Sequence, residues 1–104
     1  MPWYHYLAYF LGGMFLSNAV PHLVSGVQGR SFQSPFAQPS GKGLSSATVN
    51  VLWGAANFVA AYLLLGRVGT FAFRNWLHML AAGGGGLAMG LMLARAFGRL
   101  HGTE

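Results

Sequence analysis

Three long apolar segments constrain this chain more than any other feature of its sequence. They cover about residues 3–23, 47–65 and 71–96, and each is apolar on nearly every side of a helix. Each is close to the roughly 20 residues that a helix needs to cross the core of a bilayer. Helices are expected because a backbone in lipid must satisfy its own hydrogen bonds, whereas barrel strands would alternate in polarity. The sequence predicts an all-α membrane protein: three transmembrane helices in a single domain over residues 1–104.

The distribution of charge agrees with this class of protein. Charged residues make up 7% of the chain, against about 25% in a typical soluble domain. The net charge is +5, and the one acidic residue is Glu104. Cationic residues between apolar segments are typical of contact with anionic lipid headgroups, so we expect lipid partners and no nucleic acid. The expected headgroup contacts are Arg30, Lys42, Arg67, Arg74, Arg95 and Arg99.

The same cations predict an orientation. Three crossings place the first connection, 24–46, on the side of the C-terminal tail, and that side holds four of the six cations. The positive-inside rule then favours an outer N-terminus and a cytoplasmic C-terminus. The first segment resembles a signal peptide, but no positive residue precedes it, so we expect a helix of the mature protein.

The second connection is short. Gly66 is a candidate helix end, Gly69 a candidate turn and Thr70 a candidate cap for the third helix. These residues predict that helices two and three form an antiparallel hairpin.

The first connection is long and rich in proline and glycine, which excludes a long helix there. Its Phe32 and Phe36 would be unusual in a solvated linker. We expect a loop on the membrane surface with both rings in the lipid, and a flexible linker is the alternative. Ser45 or Ser46 is expected to cap helix two.

Four of the polar residues in the first two apolar segments form two pairs. Asn18 and His22 are four residues apart, and Asn50 and Asn57 are seven apart, so each pair shares a helix face. Polar groups in lipid need partners. One interpretation is hydrogen bonding between helices, which fixes their register. The alternative is a polar pocket or pathway that opens towards the first connection.

The remaining histidines of the spans, His5 and His78, are expected at the opposite depth. We expect His78 to lie too far from His22 in depth for the two to bind one metal ion. A shared site would have to pair His5 with His78, or His22 with asparagines, and we predict no metal site. His78 is interpreted as a packing residue, with haem ligation by His78 or His5 as the alternative. The chain has no cysteine, which excludes disulfides and iron–sulfur clusters.

Small residues form the clearest motif. Helix three contains four consecutive glycines, and helix one offers small residues too. Small residues let helix backbones approach closely in lipid. The expected packing residues are Gly12, Gly13, Ala82, Gly83, Gly86 and Gly90. Glycines on every side of helix three also leave a face for a second subunit, a partner helix, a flat cofactor or a lipid tail.

The apolar segments contain no carboxylate. Proton relays and cation-coupled transporters usually place Asp or Glu within their helices. The sequence also has no carboxylate pair, no nucleophile with an evident base and no phosphate-binding loop. We therefore expect no enzymatic activity.

One stretch of the sequence resembles a family of small uncharacterised bacterial membrane proteins. The resemblance covers about the first 60 residues. It is carried by Asn18-Ala19-Val20-Pro21-His22, Gly26, Gly29, Phe32, Ser34-Pro35-Phe36, Ser45-Ser46, Asn50 and Trp53-Gly54. It implies a bacterial inner membrane and brings no activity with it.

Three functional hypotheses follow. The first is an accessory or scaffolding protein that acts by helix packing, as a homo-oligomer or as a subunit of a larger complex. The second is a small oligomeric channel or carrier for an anion or a neutral solute. The third is a subunit that binds haem, a quinone or a pigment.

Overall fold

The computed structural model describes residues 2–102. Its elements are α1 (Trp3–Val27), β1 (Phe32–Gln33), β2 (Leu44–Ser45), α2 (Ala47–Gly66) and α3 (Trp76–His101). The three helices are each long and apolar enough to span a membrane, which agrees with the sequence prediction. The molecule is 42 Å long, more than the roughly 30 Å of a bilayer core.

Helix α1 is the centre of the fold. It packs along both α2 and α3, whereas α2 and α3 barely touch each other. The predicted pairing of helices two and three as a packed hairpin is therefore not found. The physical reason lies in α1, where Gly12 faces Leu64 and Leu65 of α2 while Gly13 faces the backbone of α3. Both neighbours approach α1 closely, and a gap remains between them.

Helix α1 ends at Val27 rather than near residue 23. Pro21 does not stop it, because a continuous helix keeps most backbone groups bonded. Packing on α2 also continues beyond Pro21. A Cβ atom on Gly54 would lie 2.6 Å from Cγ of Leu23, and one on Gly26 would lie 2.8 Å from the carbonyl oxygen of Ala47.

Helix α3 begins five residues later than predicted and also ends later, at His101. Asn75 caps it, since its side chain accepts from the N–H groups of Leu77 and His78. Thr70 is therefore not the cap. The helix ends at Gly102, whose φ of 82° is left-handed and favours glycine. Helix α2 begins and ends within one residue of the prediction, with Ser46 as its cap.

The first connection forms an ordered cap over one end of the three helices. We call residues 28–46 the cap. Strands β1 and β2 pair antiparallel within it, and Oγ of Ser34 lies 2.6 Å from Oγ of Ser45. Nε2 of His101 donates to Oε1 of Gln33 at 3.0 Å, which joins the cap to the end of α3.

The two phenylalanines of the cap have different surroundings. Phe32 packs on Phe97 and on His22, with ring centroids 4.7 and 5.6 Å away. The expectation that Phe32 enters the lipid is wrong, because the cap folds inward over the helix ends. Phe36 is 64% exposed and has its ring against Trp53.

Candidate functional site

The first polar pair joins α1 to α2. Nδ2 of Asn18 donates to Oδ1 of Asn57 at 2.9 Å, and Nδ2 of Asn57 donates to the carbonyl oxygen of Trp53 at 2.8 Å. Asn57 is buried. The two amides are thus bonded to each other and to the backbone, as expected for an interhelical contact that fixes register.

The second polar pair joins α1, α2 and the cap. Nδ1 of His22 donates to Oδ1 of Asn50 at 2.7 Å, and both residues are buried. Nδ2 of Asn50 donates to three carbonyl oxygens at 3.1–3.2 Å, those of Phe32, Ser45 and Ser46. A single side chain therefore holds both strands of the cap against α1 and α2.

The predicted packing residues divide into two groups. Gly13 lies so close to Ala82 that a Cβ atom there would overlap the Ala82 carbonyl. On Gly86 a Cβ atom would lie 3.5 Å from the Gly13 carbonyl oxygen, and on Gly90 it would lie 3.5 Å from Oγ of Ser17. Together with Gly12 of α1, which packs against α2, these residues serve packing within the chain. Gly83 differs, because a Cβ atom there would have no atom within 4 Å.

Sequence reasoning missed one important glycine. A Cβ atom on Gly85 would overlap the carbonyl of Phe10, so α1 and α3 meet backbone to backbone at this point. Gly85 lies seven residues after His78, and both are buried on the α1 side of α3. This heptad spacing is the signal that distinguishes Gly85 from its neighbours in the tetraglycine.

An apolar groove lies between α2 and α3, with α1 as its floor. We call it the α2–α3 groove, and its volume is about 970 Å³. The only polar side chains that line it are those of Ser17, Tyr62 and Thr70, among the residues that the structure describes. Gly83 and Gly86 widen it on the α3 side. The groove exists because α2 and α3 pack on α1 without packing on each other.

The α2–α3 groove occupies only part of the length of the helices. Its lining covers residues 13–20 of α1 and 79–86 of α3, which is about 10 Å of each helix at 1.5 Å per residue. Gly69, Phe71 and Phe73 of the second connection also line the groove and form its wall at the end nearest that connection.

A buried polar cluster lies behind this wall of the second connection. It consists of His5 and Tyr9 of α1 and His78 of α3. Tyr9 is fully buried, and His78 is 3% exposed. Nδ1 of His5, Oη of Tyr9 and Nε2 of His78 are buried and have no hydrogen-bond partner within residues 2–102. The rings of Tyr9 and His78 lie 5.0 Å apart. Unpaired buried groups of this kind are uncommon in native proteins.

The hydrogen bond at Nδ1 of His78 determines which ring nitrogen carries the proton. The N–H of Ala72 donates to Nδ1 of His78 at 3.0 Å. A neutral imidazole with an accepting Nδ1 carries its proton on Nε2. Axial ligation of haem needs a free lone pair on Nε2, so this arrangement does not fit the haem alternative for His78. The described residues also contain no group of three or more His, Cys, Asp or Glu placed to hold a metal ion.

The cationic side chains lie at the two ends of the molecule and are all exposed. The cap and the last turns of α3 hold Arg30, Lys42, Arg95 and Arg99, while the second connection holds Arg67 and Arg74. None of them lies in the groove or in the buried polar cluster.

The chain matches no known protein family, and comparisons with curated proteins and with solved structures find no match. Its function must therefore be argued from the groove and the cluster themselves.

Proposed function

We propose that this chain is a small integral membrane accessory protein that binds the apolar chain of a lipid-like molecule in the α2–α3 groove. The observation that supports the proposal is an apolar groove of about 970 Å³ among three helices suited to a membrane. Binding sites for small molecules are commonly apolar clefts of about 300–1,000 Å³. An occupant of a groove at this depth would come from the membrane itself.

The length of the groove favours an apolar chain over a partner helix. A transmembrane helix needs roughly 30 Å of contact to cross the bilayer core, whereas this groove follows only two turns of α3 and closes at the second connection. A chain that belongs to one leaflet matches such a site. The accessory role, within a larger complex or a homo-oligomer, then uses outer surfaces, because Gly86 and Gly90 pack within the chain.

The alternative of a channel or carrier has less support from the geometry. A polar pathway needs side chains that are free to contact a solute, but Asn18 is bonded to Asn57 and His22 to Asn50. We also propose that the chain lies in a bacterial inner membrane with its N-terminus outside, and that it has no enzymatic activity. The resemblance supports the location, and the distribution of Arg and Lys supports the orientation. The lack of an evident catalytic group in the sequence supports the absence of activity.

The test is to extract the protein gently and measure the intact assembly by native mass spectrometry. We expect the 11.1 kDa chain to retain a lipid-like mass, and we expect Gly83→Phe to lose it. Gly83 lines the groove and has open space beside it, so the new ring would fill the binding volume.

Ala94→Phe is the matched control, since Ala94 is an exposed residue of the same helix outside the groove. It should retain the mass. A wild-type assembly that is a simple multiple of the chain mass, with nothing else bound, would contradict the proposed function and favour a homo-oligomer.

A further inference from the structure

We propose that the buried polar cluster binds the carbonyl head of the molecule whose chain occupies the α2–α3 groove, and that this head is planar and of the quinone type. The inference rests on the proposed function and extends it from the chain to the head. It assigns the two parts of one ligand to two adjoining parts of the structure.

The cluster offers hydrogen-bond donors that have no acceptor. Nε2 of His78 carries a proton, because Nδ1 accepts from the Ala72 N–H. Tyr9 carries a hydroxyl proton, and neither group has a partner in the described chain. A buried polar group without a hydrogen bond is costly. A carbonyl oxygen accepts two hydrogen bonds and donates none, so it complements this pair of donors.

The groove and the cluster share one thin wall. Gly69 and Phe71 both line the groove. A Cβ atom on Gly69 would lie 2.5 Å from Oη of Tyr9 and 2.7 Å from Nδ1 of His5, so both polar atoms face this glycine. The ring of Phe71 lies against two members of the cluster, with centroids 5.0 Å from Tyr9 and 5.9 Å from His78. A head at the end of a chain in the groove reaches the cluster when this wall opens.

The surroundings of the cluster favour a planar head. The ring of Phe71 lies nearly parallel to that of His78, at 24°. Tyr6 adds a third aromatic neighbour, 5.8 Å from His78. Offset stacking of this kind stabilises flat rings. A planar carbonyl head at the edge of the His78 ring would accept from Nε2–H and Oη–H, with the rings of Phe71 and Tyr6 beside it to pack on its faces.

The test uses decylubiquinone, a quinone with a short saturated chain, titrated into the full-length protein in lipid nanodiscs. Quenching of tryptophan fluorescence reports binding. We expect saturable binding that weakens about 3- to 10-fold in Tyr9→Phe, which is the effect of one lost hydrogen bond. Gly69→Ala should weaken it further, because the methyl group enters the space beside Oη of Tyr9 and Nδ1 of His5.

Two matched controls lie outside both the cluster and the groove. Tyr4→Phe removes an exposed hydroxyl, and Gly84→Ala adds a methyl group that makes an ordinary contact, 3.9 Å from the ring of Phe10. Both should bind decylubiquinone as the wild type does. Circular dichroism checks that every variant keeps its helices.

Three results would overturn the inference. Equal affinity of Tyr9→Phe and Tyr4→Phe for decylubiquinone would show that the cluster does not contact the head. Equal affinity of the protein for undecane and decylubiquinone, with neither affected by Tyr9→Phe, would show that the chain alone decides binding. Equal, Tyr9-dependent binding of a monoacylglycerol would assign the cluster to an ester carbonyl and exclude the planar head. If the native spectra retain a lipid-like mass together with any of these results, the proposed function still stands. Loss of both the lipid-like mass and the Tyr9-dependent binding of decylubiquinone contradicts the proposed function and this inference.

Discussion

We expect Gly85→Ala to lower the free energy of unfolding by about 3 kcal/mol, which is the scale of a severe overpacking in a close contact. The added Cβ atom would overlap the carbonyl of Phe10. That neighbour is backbone inside α1 and has no rotamer that relieves the overlap, so α1 and α3 must separate. Separation also weakens the contact of Gly13 with Ala82, one helical turn away. Reversible unfolding in mixed micelles, followed by circular dichroism, measures the change.

The same helix supplies the controls for this prediction. Gly83→Ala meets open space, and Gly84→Ala would place its Cβ atom 3.9 Å from the ring of Phe10. Both variants gain the helix propensity of alanine over glycine, up to about 1 kcal/mol. We expect them to match or exceed the wild type in stability. Similar destabilisation of all three variants would show that the α1–α3 crossing does not lie at Gly85.

The three long apolar helices were predictable from the sequence. Their apolar length and the absence of internal charge were sufficient to identify them. Partner choice among the helices was not predictable in the same way. Four consecutive glycines present small surfaces in every direction, and only the register with Phe10 decides that Gly85 faces α1 while Gly83 faces the groove.

The predicted helix ends were wrong where a tertiary contact competes with the local capping or stop signal. Thr70 is a good cap by type, but the Ala72 N–H is bonded to His78, and the chain turns into α3 only at Asn75. Similarly, Pro21 is a local stop signal, yet α1 continues because Leu23 and Gly26 pack on α2.

The candidate site was predictable in part. The four- and seven-residue spacings of Asn18, His22, Asn50 and Asn57 gave the correct faces, because helix geometry alone determines them. The sequence also placed His5 and His78 at one depth. Tyr9 was missed, since an aromatic residue in an apolar span is usually interpreted as lipid-facing. The α2–α3 groove exists because α2 and α3 do not pack on each other, and no local sequence pattern indicates that this contact is missing.

The largest effect on the cap is expected from Asn50→Leu. This change removes the acceptor of His22 Nδ1–H and the donor to three carbonyl groups at the base of the cap. Each group that is left buried and unpaired costs about 1–3 kcal/mol. We expect the free energy of unfolding to fall by about 3 kcal/mol in total. Amide hydrogen exchange is the informative measurement, because residues 28–46 should lose their protection while the helix centres keep theirs.

Asn57→Leu is the matched control, since it removes an equally buried amide from the same face of α2. Its partners are Asn18 and the Trp53 carbonyl, and neither belongs to the cap. The variant should lose stability in the α1–α2 contact and yet retain exchange protection in residues 28–46. If both variants exposed the cap equally, the cap would depend on the general packing of α1 against α2. If only Asn50→Leu exposes it, one amide couples the cap to α1 and α2, and the ring of Phe32 stays on His22 for that reason.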